Sequence, residues 1–157
     1  MRLIPVLNIL SILITPMSGI MLISAFIDFS YNNDNWVSFF SSAIITLFIG
    51  MSIFLATRGK SNKNLDLRQA FILTTFSWVS VALFGALPFY LSTLNLSFTD
   101  SFFESMSGIT TTGSTILNNI ELSPPGILVW RALLQWLGGI GVIVMALAVL
   151  PMLSIGG

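Results

Sequence analysis

The chain of 157 residues is 55% hydrophobic and only 8% charged, far below the roughly 25% charged residues of an ordinary soluble domain. Its formal net charge of zero gives no basic surface for a nucleic acid. The chain contains no Cys and no His, which excludes disulfides, thiol nucleophiles, imidazole bases and zinc clusters, so we expect no enzyme activity. The apolar composition predicts an integral membrane protein.

Two charge-free stretches open the chain, at 3–27 and 36–57. Each exceeds the ~20 apolar residues needed to cross about 30 Å of hydrocarbon. The first run is too long for a secretory signal, contains Pro16 and lacks a small-residue cleavage site, so we interpret it as a retained helix. The Asn- and Asp-rich segment 28–35 between them predicts a turn.

The loop at 58–68 holds four of the six basic residues. By the positive-inside rule it should lie in the cytoplasm together with the N-terminus, and the turn at 28–35 should then lie outside.

A third span is predicted at about 69–91. Gly85 and Pro88 would loosen its outer end. Ala82 and Ala86, four residues apart, permit another helix to approach closely.

A fourth span is predicted to begin at Pro124–Pro125 and to run to about Leu150. Its middle contains Gly138, Gly139 and Gly141. Helix packing is the favoured explanation for these glycines, and a role in lining or bending around a pore is the alternative.

The segment 97–123 between the third and fourth spans is too short and too broken to cross a membrane alone. Thr99 or Ser101 can cap a short helix over about 100–107, with acidic residues in its first turn. We expect this helix to stop at Gly108.

An extended run of hydroxyl residues follows at 109–115, around Gly113. Backbone carbonyls and Thr hydroxyls can replace the hydration shell of a cation, and glycine permits the backbone angles that orient neighbouring carbonyls together. A polar surface loop is the alternative. A nucleotide-binding loop would need a lysine where Ser114 stands and a parallel sheet.

Two strings carry a family resemblance. FFESMSGITTTGST, at 102–115, resembles the first pore loop of the TrkH-type potassium transporters, in the Trk/Ktr/HKT superfamily. WRALLQWLGGIG, at 130–141, is similar to the start of the helix after that loop, and LPMLSIGG, at 150–157, also fits the family.

The resemblance implies an all-α integral membrane protein with two N-terminal transmembrane helices followed by one helix–pore loop–helix (M1-P-M2) repeat. We expect the helix pair and its cytoplasmic loop to occupy 1–68 and the repeat to occupy 69–157. A re-entrant pore helix and filter would lie within 97–123.

The resemblance further implies potassium uptake across the bacterial plasma (inner) membrane, with K⁺ as the transported ion and no covalent cofactor. It assigns the selectivity filter to Thr111, Thr112 and Gly113, whose backbone oxygens would bind K⁺, flanked by Thr110 and Ser114.

Two charged residues are expected to support this loop structurally. Glu104 is interpreted as a carboxylate behind the filter and not as an ion ligand. For Arg131 the sequence leaves two roles open, a snorkelling interfacial anchor, which is favoured, and a support for the pore loop.

The family builds its pore from four such repeats, and this sequence contains one, which amounts to one quarter of a filter. We expect the remaining three repeats to come from the same or a separate chain, in an oligomer surrounded by lipid. A cytoplasmic nucleotide-binding regulatory subunit of the TrkA type is a further expected partner. The alternative is a truncated membrane protein that retains the fold and conducts nothing.

Overall fold

The chain is all-helical in this computed structural model, which describes residues 3–59 and 67–154 and contains no strand within them. The α-helices in the described part are α1 (Ile4–Ser30), α2 (Trp36–Thr57), α3 (Leu67–Tyr90), α4 (Phe98–Ile109) and α5 (Pro125–Ser154). A short 3₁₀ turn, Ile120–Leu122, lies between α4 and α5. The predicted all-α class is confirmed. Most of the basic loop predicted to be cytoplasmic, residues 60–66, lies outside the described residues.

Four of these helices are long and apolar enough to cross a membrane: α1, α2, Arg68–Tyr90 within α3, and Pro125–Ile143 within α5. The four predicted spans are therefore confirmed, with small shifts at their ends. The first helix, α1, ends at Ser30, three residues after the predicted end of the span at Ile27. The charge of Asp28 does not end the helix because its carboxylate is buried and hydrogen-bonded.

The first two helices cross closely. A side chain at Gly50 of α2 would come within 2.6 Å of the Thr15 hydroxyl of α1, so only glycine fits there. About two turns further along α2, the Asn8 side chain of α1 donates a hydrogen bond of 3.0 Å to the Thr57 hydroxyl. Small and polar residues thus join α1 to α2 as they do in other membrane helix pairs.

The third helix packs tightly against α4. Ala82 and Ala86 are buried, and a Cβ at Gly85 between them would lie 2.5 Å from the Ser105 hydroxyl of α4. The close approach predicted from these small residues is confirmed. Pro88 lies inside α3, and the helix continues through it to Tyr90.

One end of the bundle gathers the α1–α2 turn, the end of α3 and the starts of α4 and α5. Hydrogen bonds join Asp28 to Gly126 and Asn35 to Thr93 across these elements. Below them, buried Phe39 packs edge-on against the indole of Trp130 from α5, and both rings belong to the hydrophobic core. This arrangement agrees with the prediction that 28–35 and 97–123 lie on the same side of the membrane.

Candidate functional site

The short helix α4 is capped by Ser97. Its hydroxyl accepts the Asp100 N–H at 3.1 Å, and its carbonyl accepts the Ser101 hydroxyl at 2.8 Å. The predicted caps, Thr99 and Ser101, are wrong because the helix already begins at Phe98. The usable signal was present in the sequence, since a serine three residues before an acidic residue is a common helix start.

α4 ends deep in the bundle. Its 12 residues span about 18 Å, too little to cross a membrane. A Cβ at Gly138 of α5 would overlap the Ile109 carbonyl oxygen and lie 2.7 Å from its carbonyl carbon, so the last turn of α4 rests directly on the α5 backbone. Since Gly138 lies about 20 Å along α5 from its start, the end of α4 reaches roughly mid-span.

The predicted stop at Gly108 is wrong, because that residue lies within α4. A Cβ there would lie 3.0 Å from the Leu134 Cβ, so Gly108 serves helix packing. The helix ends instead through a Schellman turn, in which Thr112 N–H bonds the Ser107 carbonyl and Thr111 N–H bonds the Gly108 carbonyl, both at 3.0 Å.

Thr111 occupies the left-handed position of that turn, with φ of 58°. Glycine is the usual residue there, and a β-branched side chain at positive φ is strained. Gly113, two residues later, has φ of 77°. Two of the three residues predicted to bind K⁺ therefore have left-handed backbone.

The following segment runs back along α5 toward its start. A Cβ at Gly113 would lie 3.8 Å from the Gln135 amide nitrogen, and the Thr115 hydroxyl accepts a hydrogen bond from Arg131 at 3.2 Å. Since Arg131 precedes Gln135 on α5, the segment from Thr111 to Thr115 runs antiparallel to that helix.

The structure brings all five predicted loop residues, 110–114, into one exposed segment, here named the candidate filter. In the described part of the chain, no hydrogen bond is made to the main-chain carbonyls of Thr111, Thr112 and Gly113. The Ser114 carbonyl differs, since it accepts the Ser107 hydroxyl at 2.6 Å. Three consecutive carbonyls thus remain available to a ligand.

A buried polar network lies behind the candidate filter. Glu104 is fully buried, and its Oε1 accepts the Thr115 hydroxyl at 2.6 Å and the Ile116 N–H at 2.7 Å. The other carboxylate oxygen forms an ion pair with Arg131. The favoured interpretation of Arg131 as an interfacial anchor is therefore wrong, because its nearly buried side chain turns toward the loop.

Sequence reasoning missed the contacts made by Ser107 and Asp28. Ser107 lies in a helix, and nothing local indicates a bond to a carbonyl seven residues later. Asp28 resembled an ordinary turn residue, although its partner, Gly126, is 98 positions away. Within residues 3–59 and 67–154, no group of three acidic, His or Cys side chains could hold a metal ion.

Comparison with known proteins places these features in a family. The family described as "Cation transport protein", TrkH, matches residues 37–157. The Trk system potassium uptake protein TrkH of Escherichia coli K12 is 38% identical over 151 residues, which cover 96% of this chain and 31% of that protein. TrkI of Halomonas elongata is 55% identical over 89 residues, covering 57% of this chain and 18% of that protein.

A solved structure matches along the whole chain. The crystal structure of the potassium transporter TrkH from Vibrio parahaemolyticus superposes with a TM-score of 0.92 at 35% identity, covering 100% of this chain and 34% of that chain. The chain thus spans about a third of the length of these TrkH relatives. With its four apolar helices it is a multi-pass membrane protein. The chain belongs to the TrkH family of cation transport proteins.

Proposed function

We propose that this chain forms part of a potassium uptake pathway and supplies one quarter of its selectivity filter. The observation that carries the proposal is that three carbonyls, at Thr111, Thr112 and Gly113, accept no hydrogen bond from residues 3–59 or 67–154, with left-handed backbone at the first and third. The names of the relatives, which are potassium uptake proteins, favour K⁺ as the transported ion. In this proposal residues 1–68 form the leading helix pair and 69–157 the pore repeat.

The backbone geometry suits a weakly held, partly dehydrated cation. In a regular strand successive carbonyls alternate between two sides, and the left-handed residues Thr111 and Gly113 break that alternation. Carbonyl dipoles can replace hydration oxygens without the tight trapping expected of carboxylates. The carbonyl end of α4, where the helix dipole is negative, adjoins the same segment.

The network behind the loop would hold these carbonyls in place. Glu104 bonds the loop at Thr115 and Ile116, and Arg131 neutralises its charge. The carboxylate is fully buried, so in this proposal it acts as a support and not as an ion ligand. Thr110 and Ser114 flank the ion path, with the Ser114 carbonyl bonded to α4.

The remaining partners follow from the same proposal. Three further repeats, in the same or a separate chain, would complete the ring of carbonyls around the ion. A cytoplasmic nucleotide-binding subunit of the TrkA type would regulate the assembly in the bacterial inner membrane. The relatives' description as members of a Trk system supports a complex of several components.

The proposal predicts that Gly113→Ser impairs ion selection without preventing folding. A side chain at φ of 77° would strain the loop by about 1–3 kcal/mol and turn the carbonyl. We expect the K⁺/Na⁺ uptake ratio to fall by about tenfold or more. The measurement uses a chimera in which residues 1–157 replace the matching segment of the Vibrio parahaemolyticus transporter, reconstituted in liposomes.

Gly59→Ser is the matched control. Gly59 also has a positive φ, of 78°, and a Cβ there meets no atom of the described residues within 4 Å. The control therefore imposes similar strain far from the candidate filter and should leave the ratio unchanged. An unaltered ratio in Gly113→Ser, with normal uptake, would show that the segment is a surface loop and not the filter.

The proposal also fixes the orientation in the membrane. The chain has no native Cys, so single cysteines can be introduced at Asn62, in the basic loop, and at Asn118, in the exposed segment before α5. In intact cells, an impermeant maleimide should label Asn118→Cys and spare Asn62→Cys. The reverse labelling pattern would refute the proposed topology.

A further inference from the structure

A buried polar cluster joins the leading helix pair to the pore repeat. Asp28, at the end of α1, is fully buried, and its carboxylate accepts the Gly126 N–H at 2.6 Å and the Asn35 side-chain N–H at 3.0 Å. Asn35 is also fully buried, and its side-chain oxygen accepts the Thr93 N–H at 3.1 Å. These four residues are here named the Asp28 node.

The node supplies the cap of α5 from a distant part of the chain. Gly126 is the second residue of α5, where the backbone N–H has no partner inside its own helix. The Asp28 carboxylate occupies that capping position and places a negative charge at the positive end of the helix dipole. Asp28 thus takes the role that a local Ser or Asp usually performs.

Only glycine fits where Gly126 meets α1. A Cβ at Gly126 would lie 2.5 Å from the Asp28 Cγ and 2.8 Å from the Ser24 carbonyl oxygen. The start of α5 therefore rests on the backbone of α1 as well as on the carboxylate. Since Gly126 contributes its backbone to both contacts, a reoriented or longer side chain at Asp28 would displace the start of α5.

That part of α5 also holds the candidate filter. Arg131, little more than one turn after Gly126, pairs with Glu104 and donates to the Thr115 hydroxyl. Trp130, beside it, is fully buried in the core. A shift at the helix start would therefore reach the loop through a single rigid helical turn.

We infer that Asp28 is a positioning residue for ion selection: through Gly126 it sets the place of α5 and hence of the loop that α5 supports. The leading helix pair is then part of the machinery that aligns the filter. The inference rests on the proposed function of the loop. A purely structural role for Asp28 would affect only the amount of folded protein. The positioning role predicts in addition a changed K⁺/Na⁺ uptake ratio in protein that has folded and inserted.

The decisive experiment exchanges the two side chains of the node. Asp28→Asn removes the charge from the α5 cap. It also places the new side-chain NH₂ group against the NH₂ group of Asn35. One of the two amides must then turn over, which takes the acceptor away from either Gly126 or Thr93. Adding Asn35→Asp restores every donor–acceptor pair with the charge moved one position. In the chimera, we expect Asp28→Asn to lower the K⁺/Na⁺ uptake ratio by about fivefold or more and the double exchange to recover it within about twofold.

Asp34→Asn is the matched control, because it removes one carboxylate from the same turn at an exposed position. It should leave the ratio unchanged. A normal ratio in Asp28→Asn, with only less protein in the membrane, would overturn the inference, as would a double exchange that recovers nothing. If Asp28→Asn fails to insert, Asp28→Glu is measured in the same way. It keeps the charge but lengthens the side chain that meets Gly126, so it should lower the ratio, and a normal ratio there overturns the inference.

Gly113→Ser, measured in the same preparations, separates this inference from the proposal on which it rests. A lowered ratio in Gly113→Ser together with a normal ratio in Asp28→Asn or Asp28→Glu would retain the filter and reject the positioning role. Normal ratios in all of these variants would reject both.

Discussion

Replacing Gly138 with alanine is expected to displace the end of α4 from α5 and to abolish potassium uptake by the chimera. The added methyl group would overlap the Ile109 carbonyl oxygen, and both partners in this clash belong to helix backbone. No side-chain rotation can relieve it, so we expect destabilisation of about 3 kcal/mol or more. The unfolding midpoint in a dodecyl sulfate titration measures the stability, and liposome uptake measures the function.

Gly139→Ala is the matched control for this prediction. It makes the same chemical change on the next residue of α5, where a Cβ meets no atom within 4 Å in the described part of the chain. Removing a glycine from a helix interior should leave stability unchanged or raise it by about 0.5–1 kcal/mol. Equal destabilisation by the two substitutions would show that helix flexibility, and not contact with Ile109, makes Gly138 necessary.

The membrane spans were predictable from sequence because their length and apolar composition dominate every local signal. The errors arose at residues whose partners are distant. Asp28 looked like the beginning of a turn, yet α1 continues past it because Gly126 and Asn35 satisfy its carboxylate. A local pattern cannot reveal a hydrogen bond across 98 positions.

The glycines of α5 illustrate the same limit at the site. In sequence Gly138, Gly139 and Gly141 are equivalent, and packing was the favoured explanation for all three. Counting the described residues, only Gly138 among them has a neighbour within 4 Å of an added Cβ. The difference depends on where α4 ends, and that end was itself misjudged.

The end of α4 was misjudged because Gly108 looked like a helix terminator. The residue at the left-handed position is instead Thr111, a residue type that rarely adopts positive φ. A β-branched residue at positive φ is strained and depends on support from the surrounding structure, so local propensity does not predict it. The choice of Thr110–Ser114 as candidate filter came from family resemblance, and its loop geometry could not have been derived from propensity.

Glu104→Gln is expected to destabilise the loop and to reduce selective uptake strongly. The amide oxygen can still accept from Thr115 and Ile116, but the substitution leaves the nearly buried Arg131 without its counter-charge. Breaking a buried ion pair by removing one partner costs about 3–5 kcal/mol. The same dodecyl sulfate titration measures this loss, and the K⁺/Na⁺ uptake ratio reports the disorder of the loop.

The double variant Glu104→Gln with Arg131→Met tests whether the uncompensated charge causes that loss. Replacing both members of a buried pair is often nearly neutral, so the double variant should recover about 2 kcal/mol or more relative to Glu104→Gln. Glu121→Gln, at an exposed position in the 3₁₀ turn, controls for the loss of a carboxylate and should change neither measurement. Arg131→Met alone completes the cycle. If its effect simply adds to that of Glu104→Gln in the double variant, Arg131 does not stabilise the loop through Glu104, and the proposed support behind the filter would have to be abandoned.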